Sequence, residues 1–203
     1  MSVFYYKGDL PDNFKLDGDI AIDTEAMGLN NYRDRLCVVQ ISNGNGDAHL
    51  VHFPNAVYNA PNLYKLFSDH TTTKIFHFAR FDLAIIKHYL NISIDNVYCT
   101  KIASKIARTY TDRHGLKDLC NELLGVQISK QQQTSDWGAP ELTKEQQEYA
   151  ANDVFHLHKL KNKLDELLIR ENRKELAYSC FKFLPTRINL DLAGWAELDI
   201  FSH

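Results

Sequence analysis

Two acidic residues end a short apolar segment near the amino terminus. Asp23 and Glu25 close residues 19–25, which read Asp-Ile-Ala-Ile-Asp-Thr-Glu. Residues two apart in a strand point to the same face, so the two carboxylates should lie side by side, with Thr24 turned away. Like charges held this close repel each other, and burial makes the repulsion worse. Mg²⁺ or Mn²⁺ between them would relieve it, and the alternative is a strand that ends in an ordinary polar loop.

Two later carboxylates stand where they could reach the first pair. Asp82 falls in the first turn of a predicted helix, on the face turned toward the sheet, although a first-turn aspartate that only caps its helix is the alternative. Asp153 lies one turn after Tyr149 and four residues before Leu157, on the apolar stripe of a long predicted helix. An uncompensated carboxylate on that stripe is unfavourable, and a shared metal ion would compensate it.

The elements that must position these side chains alternate along the chain. Strand patterns occur at residues 3–6, 19–25, 35–42, 48–53, 74–78 and 97–99, and helix patterns at 62–67, 80–90, from about 101 and from about 116. The Asn-Gly-Asn-Gly segment at 43–46 is typical of a hairpin. We therefore expect an α/β fold: a mixed sheet with an antiparallel meander, added parallel strands and helices on both faces.

The last helix pattern is the longest. Thr143 and Gln146 form a capping box that begins a helix predicted to run to about Leu168, with a buried stripe at Leu157, Leu160, Leu164 and Leu167. The last 25 residues or so, with Pro185 and Gly194, are expected to be irregular.

Size and composition exclude several classes of protein. The 203 residues are enough for one domain, with 44% apolar and 24% charged residues. The sequence has no run of about 18 apolar residues and no signal-peptide pattern, so we expect no membrane association. Four widely spaced cysteines argue against structural zinc or a disulfide framework and favour a reducing, cytoplasmic setting. The net charge of −3 does not indicate a nucleic-acid partner by itself.

The acidic motifs taken together resemble those of a known superfamily. Asp23-x-Glu25, Asp82 after His77, and Tyr149-x-x-x-Asp153 resemble the three exonuclease motifs of the DEDD superfamily, in its tyrosine subclass. Residues 130–137 and 148–154 are similar to ribonuclease D. The resemblance covers roughly residues 17–165 and implies a ribonuclease H-like sheet.

One departure from ribonuclease D narrows the resemblance. No helical RNA-binding domain follows the nuclease motifs, so the chain is similar to the single-domain, ribonuclease D-like nano-RNase C group. The expected organisation is one exonuclease domain over residues 1–203, with a core at about 17–170 and an extension at 171–203. The resemblance also implies a ring-shaped homo-oligomer and short RNA substrates, with single-stranded DNA as a further possible substrate.

The resemblance assigns roles to the acidic residues. Asp23, Glu25 and Asp153 would hold one Mg²⁺ or Mn²⁺ ion, Asp23 would bridge to a second, and Asp82 would act directly or through water. Tyr149 would orient the attacking water. The implied reaction is 3′-5′ hydrolysis of phosphodiester bonds by two metal ions, which releases 5′-mononucleotides.

Further residues are candidates for substrate contact. Main-chain groups around Thr24 and the Glu25 carboxylate would read the terminal 3′-hydroxyl. Leu29 would wedge between the last two bases or else make an ordinary loop or core contact. The remaining candidates are His77, Lys130, Gln133 and Trp137, although His77 and Trp137 can equally be packing residues. Arg108, Arg113 and Lys117 could meet phosphate, or form a solvated helical face.

Other functions remain open on the sequence alone. An exonuclease that acts on longer RNA or DNA is the alternative within the same class, and it would need a wide basic approach channel. A non-catalytic nucleic-acid-binding module is a more remote alternative, because all five motif positions are intact. A structural scaffold would explain none of the carboxylates.

Overall fold

The computed structural model describes residues 2–129 and 131–203. The strands of this part of the chain are β1 (Ser2–Lys7), β2 (Ile20–Ala26), β3 (Leu36–Ser42), β4 (Asp47–His52), β5 (Lys74–Phe76) and β6 (Val97–Cys99). They form one sheet in the order β1-β4-β3-β2-β5-β6. β2, β3 and β4 make the antiparallel meander, and β5 and β6 add in parallel beside β2. The predicted mixed sheet is therefore confirmed, and β1 is an edge strand that runs parallel to β4.

The helices surround this sheet. They are α1 (Pro61–Phe67), α2 (Ala79–Leu90), α3 (Thr100–Ala107), α4 (Leu116–Leu119), α5 (Lys144–Phe155), α6 (Leu157–Arg170) and α7 (Lys174–Leu190), with π-helical turns at Cys120–Leu124 and Asp191–Trp195. Among the described residues, no helix is both long and apolar enough to cross a lipid bilayer.

The two faces of the sheet carry different helices. Val38 of β3 packs with Trp137 and Ala150 beneath α5, whereas the next residue, Val39, belongs to the main core together with Ala84 of α2. Alternate residues of a strand point to opposite faces, so α5 and α2 cover the sheet from opposite sides, as predicted.

The predicted long helix is two helices. The capping box of Thr143 and Gln146 begins α5, but the helix ends at Phe155, and α6 starts after His156 with a change of backbone direction (φ −103°, ψ −9°). α5 packs on β1, β2, β3 and β4, whereas α6 packs on α3, α7 and β5, so the two helices have different partners. The last buried position of the stripe is Leu168, and the predicted Leu167 is half-buried beside it.

The prediction that the last 25 residues or so are irregular is wrong for most of this segment. α7 continues to Leu190 with Pro185 inside it, because Ala177, Phe181, Leu184 and Ile188 form a buried stripe against α2, α3 and β6. A proline in a helix removes one backbone donor, and burial of this stripe outweighs that cost. The carboxyl-terminal extension thus packs into the same core as the sheet.

Candidate active site

The first two carboxylates project from β2 toward α5. Asp23 is paired with Gln40 and Glu25 with Val38 of β3, which places both on the face covered by α5. Asp153 points down from α5 at the same place. One carboxylate oxygen from each of Asp23, Glu25 and Asp153 lies within 4.8 Å of the others, so three residues far apart in sequence form one compact acidic group.

Tyr149 lies one helical turn before Asp153 on α5 and faces the same group. Its ring packs against Trp137, with 5.9 Å between the ring centroids. Burial, followed by the charges of Asp153, Glu25 and Asp23, raises the pKa of Tyr149 well above its usual value. The phenol is therefore protonated at neutral pH and can donate a hydrogen bond.

Asp82 reaches the site through a gap beside β2. Among the described residues, β5 pairs with β2 at Ile20 and Ala21, and no strand pairs with this edge of β2 beyond them. α2 begins after β5, next to the open part of this edge. Asp82 is buried in the first turn of α2, where its Oδ1 accepts a hydrogen bond of 2.7 Å from the Thr24 hydroxyl. Thr24 turns away from Asp23 as predicted. Its hydroxyl holds the carboxylate of Asp82 in place, and no sequence pattern indicated this contact.

Burial and mutual repulsion dominate the electrostatics of the group. Burial, then the charges of neighbouring carboxylates, raises the pKa of Asp23 and of Glu25 well above the usual range. Burial also raises the pKa values of Asp82 and Asp153 to about 7. A bound cation would reverse this effect by favouring the charged forms. Hard carboxylate oxygens in this number are the ligands that Mg²⁺ or Mn²⁺ takes, so the residues fit such an ion.

A cavity of about 300 Å³ opens over these groups. All five predicted catalytic residues line it, together with three of the predicted substrate contacts. The five are Asp23, Glu25, Asp82, Tyr149 and Asp153, and the three are Thr24, His77 and Gln133. The volume is at the lower end of the range of ligand sites.

His77 is held in a fixed tautomer. The Thr100 hydroxyl donates its proton to the Phe76 carbonyl at 3.1 Å, so at the 2.9 Å contact it accepts from Nδ1 of His77. Burial, and then the charge of Lys101, lowers the pKa of His77 to about 3. The ring is therefore neutral, with Nε2 as a hydrogen-bond acceptor.

The other predicted substrate contacts lie elsewhere. Trp137 is 2% exposed and supports Tyr149 from behind, so the prediction of a direct substrate contact is replaced by a packing role. Leu29 is 88% exposed, which rules out a core contact, and its wedge role stays a prediction. Lys130 lies outside the described residues.

The three basic residues considered as phosphate contacts lie in different environments. Arg108 is fully buried and forms an ion pair with Glu122, so it is neither a phosphate contact nor solvated. Arg113 pairs with Asp118. Lys117 lines the cavity and stays a candidate for phosphate contact.

Phe78 and Lys101 line the cavity without having been predicted. Phe78 has a left-handed backbone (φ 65°, ψ 44°) that is unusual for a bulky residue, and it turns its half-exposed ring outward. The Lys101 ammonium lies 4.1 Å from the centroid of that ring. Both residues also line a second, more apolar cavity of about 870 Å³ between α3 and α7. No sequence pattern signals this backbone conformation.

Comparison with known proteins places this site in context. The family model described as 3′-5′ exonuclease matches residues 10–169. Ribonuclease D of Acidiphilium cryptum is 32% identical over 164 residues, which are 81% of this chain and 41% of that protein. Ribonuclease D of Gluconacetobacter diazotrophicus is 33% identical over 76% of this chain and 39% of that protein. The chain spans about two fifths of the length of these curated relatives.

Solved structures resemble the chain over its full length. NrnC of Brucella melitensis with bound Mg²⁺ is 55% identical with a TM-score of 0.94, and each chain covers 100% of the other. NrnC of Brucella melitensis bound to pGG is 56% identical with a TM-score of 0.94, covering 100% of this chain and 99% of that one. Escherichia coli RNase D, at 24% identity and a TM-score of 0.74 over 84% of this chain and 44% of its own, shares the fold.

Proposed function

Because the chain belongs to the 3′-5′ exonuclease family and is similar to ribonuclease D, we propose that it hydrolyses short RNA oligonucleotides from the 3′ end. The observation that carries this proposal is the compact group of Asp23, Glu25 and Asp153 beside Tyr149. The pGG-bound relative supports a short substrate. Single-stranded DNA is the further substrate class to test.

The acidic residues would hold the metal ions. Asp23, Glu25 and Asp153 would bind one Mg²⁺ or Mn²⁺, Asp23 would also bind a second, and Asp82 would act directly or through water. The ions, when bound, supply charge stabilisation at phosphorus during an in-line displacement. The Mg²⁺-bound relative supports the choice of metal.

The chain's own groups orient the reactants. Tyr149, protonated at neutral pH, would position the attacking water by a hydrogen bond. The water oxygen bonds to phosphorus and the water gives up one proton to solvent, while the bond from phosphorus to the 3′-oxygen breaks. That oxygen takes a proton from solvent as the shortened strand leaves. The released nucleotide keeps the 5′-phosphate, so the product is a 5′-mononucleotide.

Substrate recognition would use the residues around the cavity mouth. Main-chain groups at Thr24 would bind the terminal 3′-hydroxyl, and Leu29, exposed on the loop after β2, would wedge between bases. The Nε2 acceptor of His77 and the side chain of Gln133 would contact the nucleotide. Lys130, which lies outside the described residues, stays a candidate for the same role.

The protein as a whole would work as a homo-oligomeric ring in the cytoplasm. Exposed apolar side chains near the carboxyl terminus support self-association, among them Leu198 and Phe201. The four free cysteines support a reducing compartment. Light scattering coupled to size exclusion would measure the subunit number, and a monomer at working concentration would contradict the ring.

A substitution of the bridging ligand tests the catalytic proposal. Asp23→Asn should abolish hydrolysis of a 5′-labelled dinucleotide in Mg²⁺ without lowering the melting temperature of the metal-free protein, because it removes a buried charge beside like charges. Asp17→Asn, at an exposed aspartate, is the matched control and should keep wild-type activity. Normal turnover by Asp23→Asn would overturn the assignment.

A comparison of turnover rates tests the preferred length of the substrate. Turnover of a dinucleotide should exceed that of a long single strand, each assayed as RNA and as DNA. Faster turnover of the long strand would favour the alternative of a general exonuclease.

A further inference from the structure

Gln40 is a buried polar residue whose side-chain amide makes no hydrogen bond within the described part of the chain. It lies in the middle of β3 and is 0% exposed. Neither its Oε1 nor its Nε2 has a hydrogen-bond partner among the described residues. Buried amides are nearly always paired, and an unpaired one destabilises the fold, so this residue calls for an explanation.

The side chain of Gln40 lies on the same face of the sheet as the acidic group. Gln40 is directly opposite Asp23 in the β2–β3 register, and directly opposite residues of an antiparallel pair point to the same face with their Cβ atoms about 5 Å apart. On its other side Gln40 faces Leu50 of β4, whose buried cluster includes Ala150 of α5, and neither of these residues has a side-chain polar group. The polar side chain next to Gln40 across the β2–β3 pair is therefore Asp23.

A second buried glutamine shows what a purely structural role looks like. Gln146 is 5% exposed, and its side chain accepts from the Thr143 amide and donates to the Ser135 hydroxyl and the Asp136 carbonyl. Every side-chain atom of Gln146 thus stabilises the start of α5. Gln40 contributes no such contact to the fold.

We propose that Gln40 is a positioning residue for Asp23, whose Nε2 donates a hydrogen bond to the Asp23 carboxylate when a divalent cation is bound. The bond would fix the carboxylate in the orientation that the ion needs, as partners of metal ligands commonly do. This inference rests on the proposed function in one respect, which is that the acidic group binds a divalent cation.

The test compares two glutamine substitutions with opposite expected effects. Gln40→Met should leave the melting temperature of the metal-free protein unchanged or higher, because it removes an unpaired buried amide. The same variant should weaken Mg²⁺ binding, measured by calorimetry, by about tenfold or more. Gln146→Met should lower the melting temperature and leave the Mg²⁺ affinity unchanged. Raising the Mg²⁺ concentration should restore most of the lost turnover of Gln40→Met.

The outcomes separate this inference from the proposed function. Gln40→Met that binds Mg²⁺ as tightly as the wild type, or that melts lower or fails to fold, would overturn the positioning role. A wild-type protein that binds no Mg²⁺ would instead overturn the proposed function itself. Paramagnetic resonance with Mn²⁺ gives a second measure of affinity that does not depend on turnover.

Discussion

At the residue scale, the carboxylates of Asp82 and Asp153 make the stability of the metal-free protein depend on pH. Their pKa values are raised by burial to about 7, from about 4 in an unfolded chain. The folded state then binds more protons than the unfolded state between these values, so its stability falls as pH rises through about 7.

This gives a prediction for thermal melting. Without metal, the melting temperature should decrease from about pH 5 to about pH 8, and added Mg²⁺ should raise it more at the higher pH, since the ion binds the charged carboxylates. Scanning calorimetry with and without a chelator measures both effects. A stabilisation by Mg²⁺ that is as large at about pH 5 as at about pH 8 would contradict the raised pKa values. The metal-free melting temperature alone does not decide this, because His77, whose burial lowers its pKa to about 3, contributes with the opposite sign.

A second residue-scale prediction concerns Tyr149. Because its raised pKa keeps the phenol protonated, Tyr149→Phe should lose about tenfold or more in the rate of hydrolysis, while its Mg²⁺ affinity stays unchanged. Tyr64→Phe, at an exposed tyrosine of α1, is the control and should behave as wild type. An unchanged rate for Tyr149→Phe would show that a group other than Tyr149 orients the attacking water.

The acidic residues themselves were predictable from sequence, because a carboxylate on an apolar face needs a compensating partner. Spacing along β2 and α5 placed Asp23, Glu25 and Asp153 on facing surfaces, and the structure brings their oxygens together. Spacing says nothing about contacts between elements. The hydrogen bond from Thr24 to Asp82 depends on where β5 stops, and no local pattern encodes that.

At the element scale, that hydrogen bond joins β2 to α2. Thr24→Val should destabilise the protein by about 1–2 kcal/mol, because it leaves a buried carboxylate oxygen unpaired. It should also raise the pKa of Asp82 further, since the bond from Thr24 lowers it, and thus move the acidic limb of the pH–rate profile to higher pH. Thr24→Ser keeps the hydroxyl and should stay near wild type. Equal profiles for both variants would show that the bond does not matter for activity.

The fold was predictable where periodicity and turn residues agree, and less so at the carboxyl end. The meander and the parallel strands followed from the alternation of patterns. The break at His156 did not, because the apolar stripe continues past it and the different partners of α5 and α6 are set by tertiary packing. Pro185 suggested an irregular segment, yet tertiary packing of Phe181 and Ile188 keeps α7 helical.

At the scale of the whole molecule, Asp191 ties the carboxyl-terminal segment to the site. Its buried carboxylate accepts hydrogen bonds from Arg80 at 2.6 and 2.9 Å and from Arg187 at 2.8 Å. Arg80 belongs to the first turn of α2, two residues before Asp82, and also donates to the Ala196 carbonyl. The end of the chain thus helps to fix the start of α2.

Removal of this carboxylate should therefore affect stability and activity together. Asp191→Ala should destabilise the protein by roughly 1.5–3 kcal/mol, because charged hydrogen bonds to two arginines are lost. The rate of hydrolysis should fall as Asp82 loses its fixed position. Glu166→Ala, which removes an exposed ion pair with Lys163, should change stability by less than about 1 kcal/mol. Urea denaturation gives the free energies, and full activity in a destabilised Asp191→Ala variant would show that the carboxyl-terminal segment does not affect the active site.

The same link bears on how the protein can be shortened or labelled. A chain that ends after α7 would lack Asp191, the carboxylate that binds the guanidinium of Arg80. A loss of turnover in such a truncated protein would therefore reflect a less rigid start of α2 and not the loss of a substrate contact. A fluorophore for following metal uptake is better attached near the amino-terminal edge strand, at the far side of the sheet from β5 and α2.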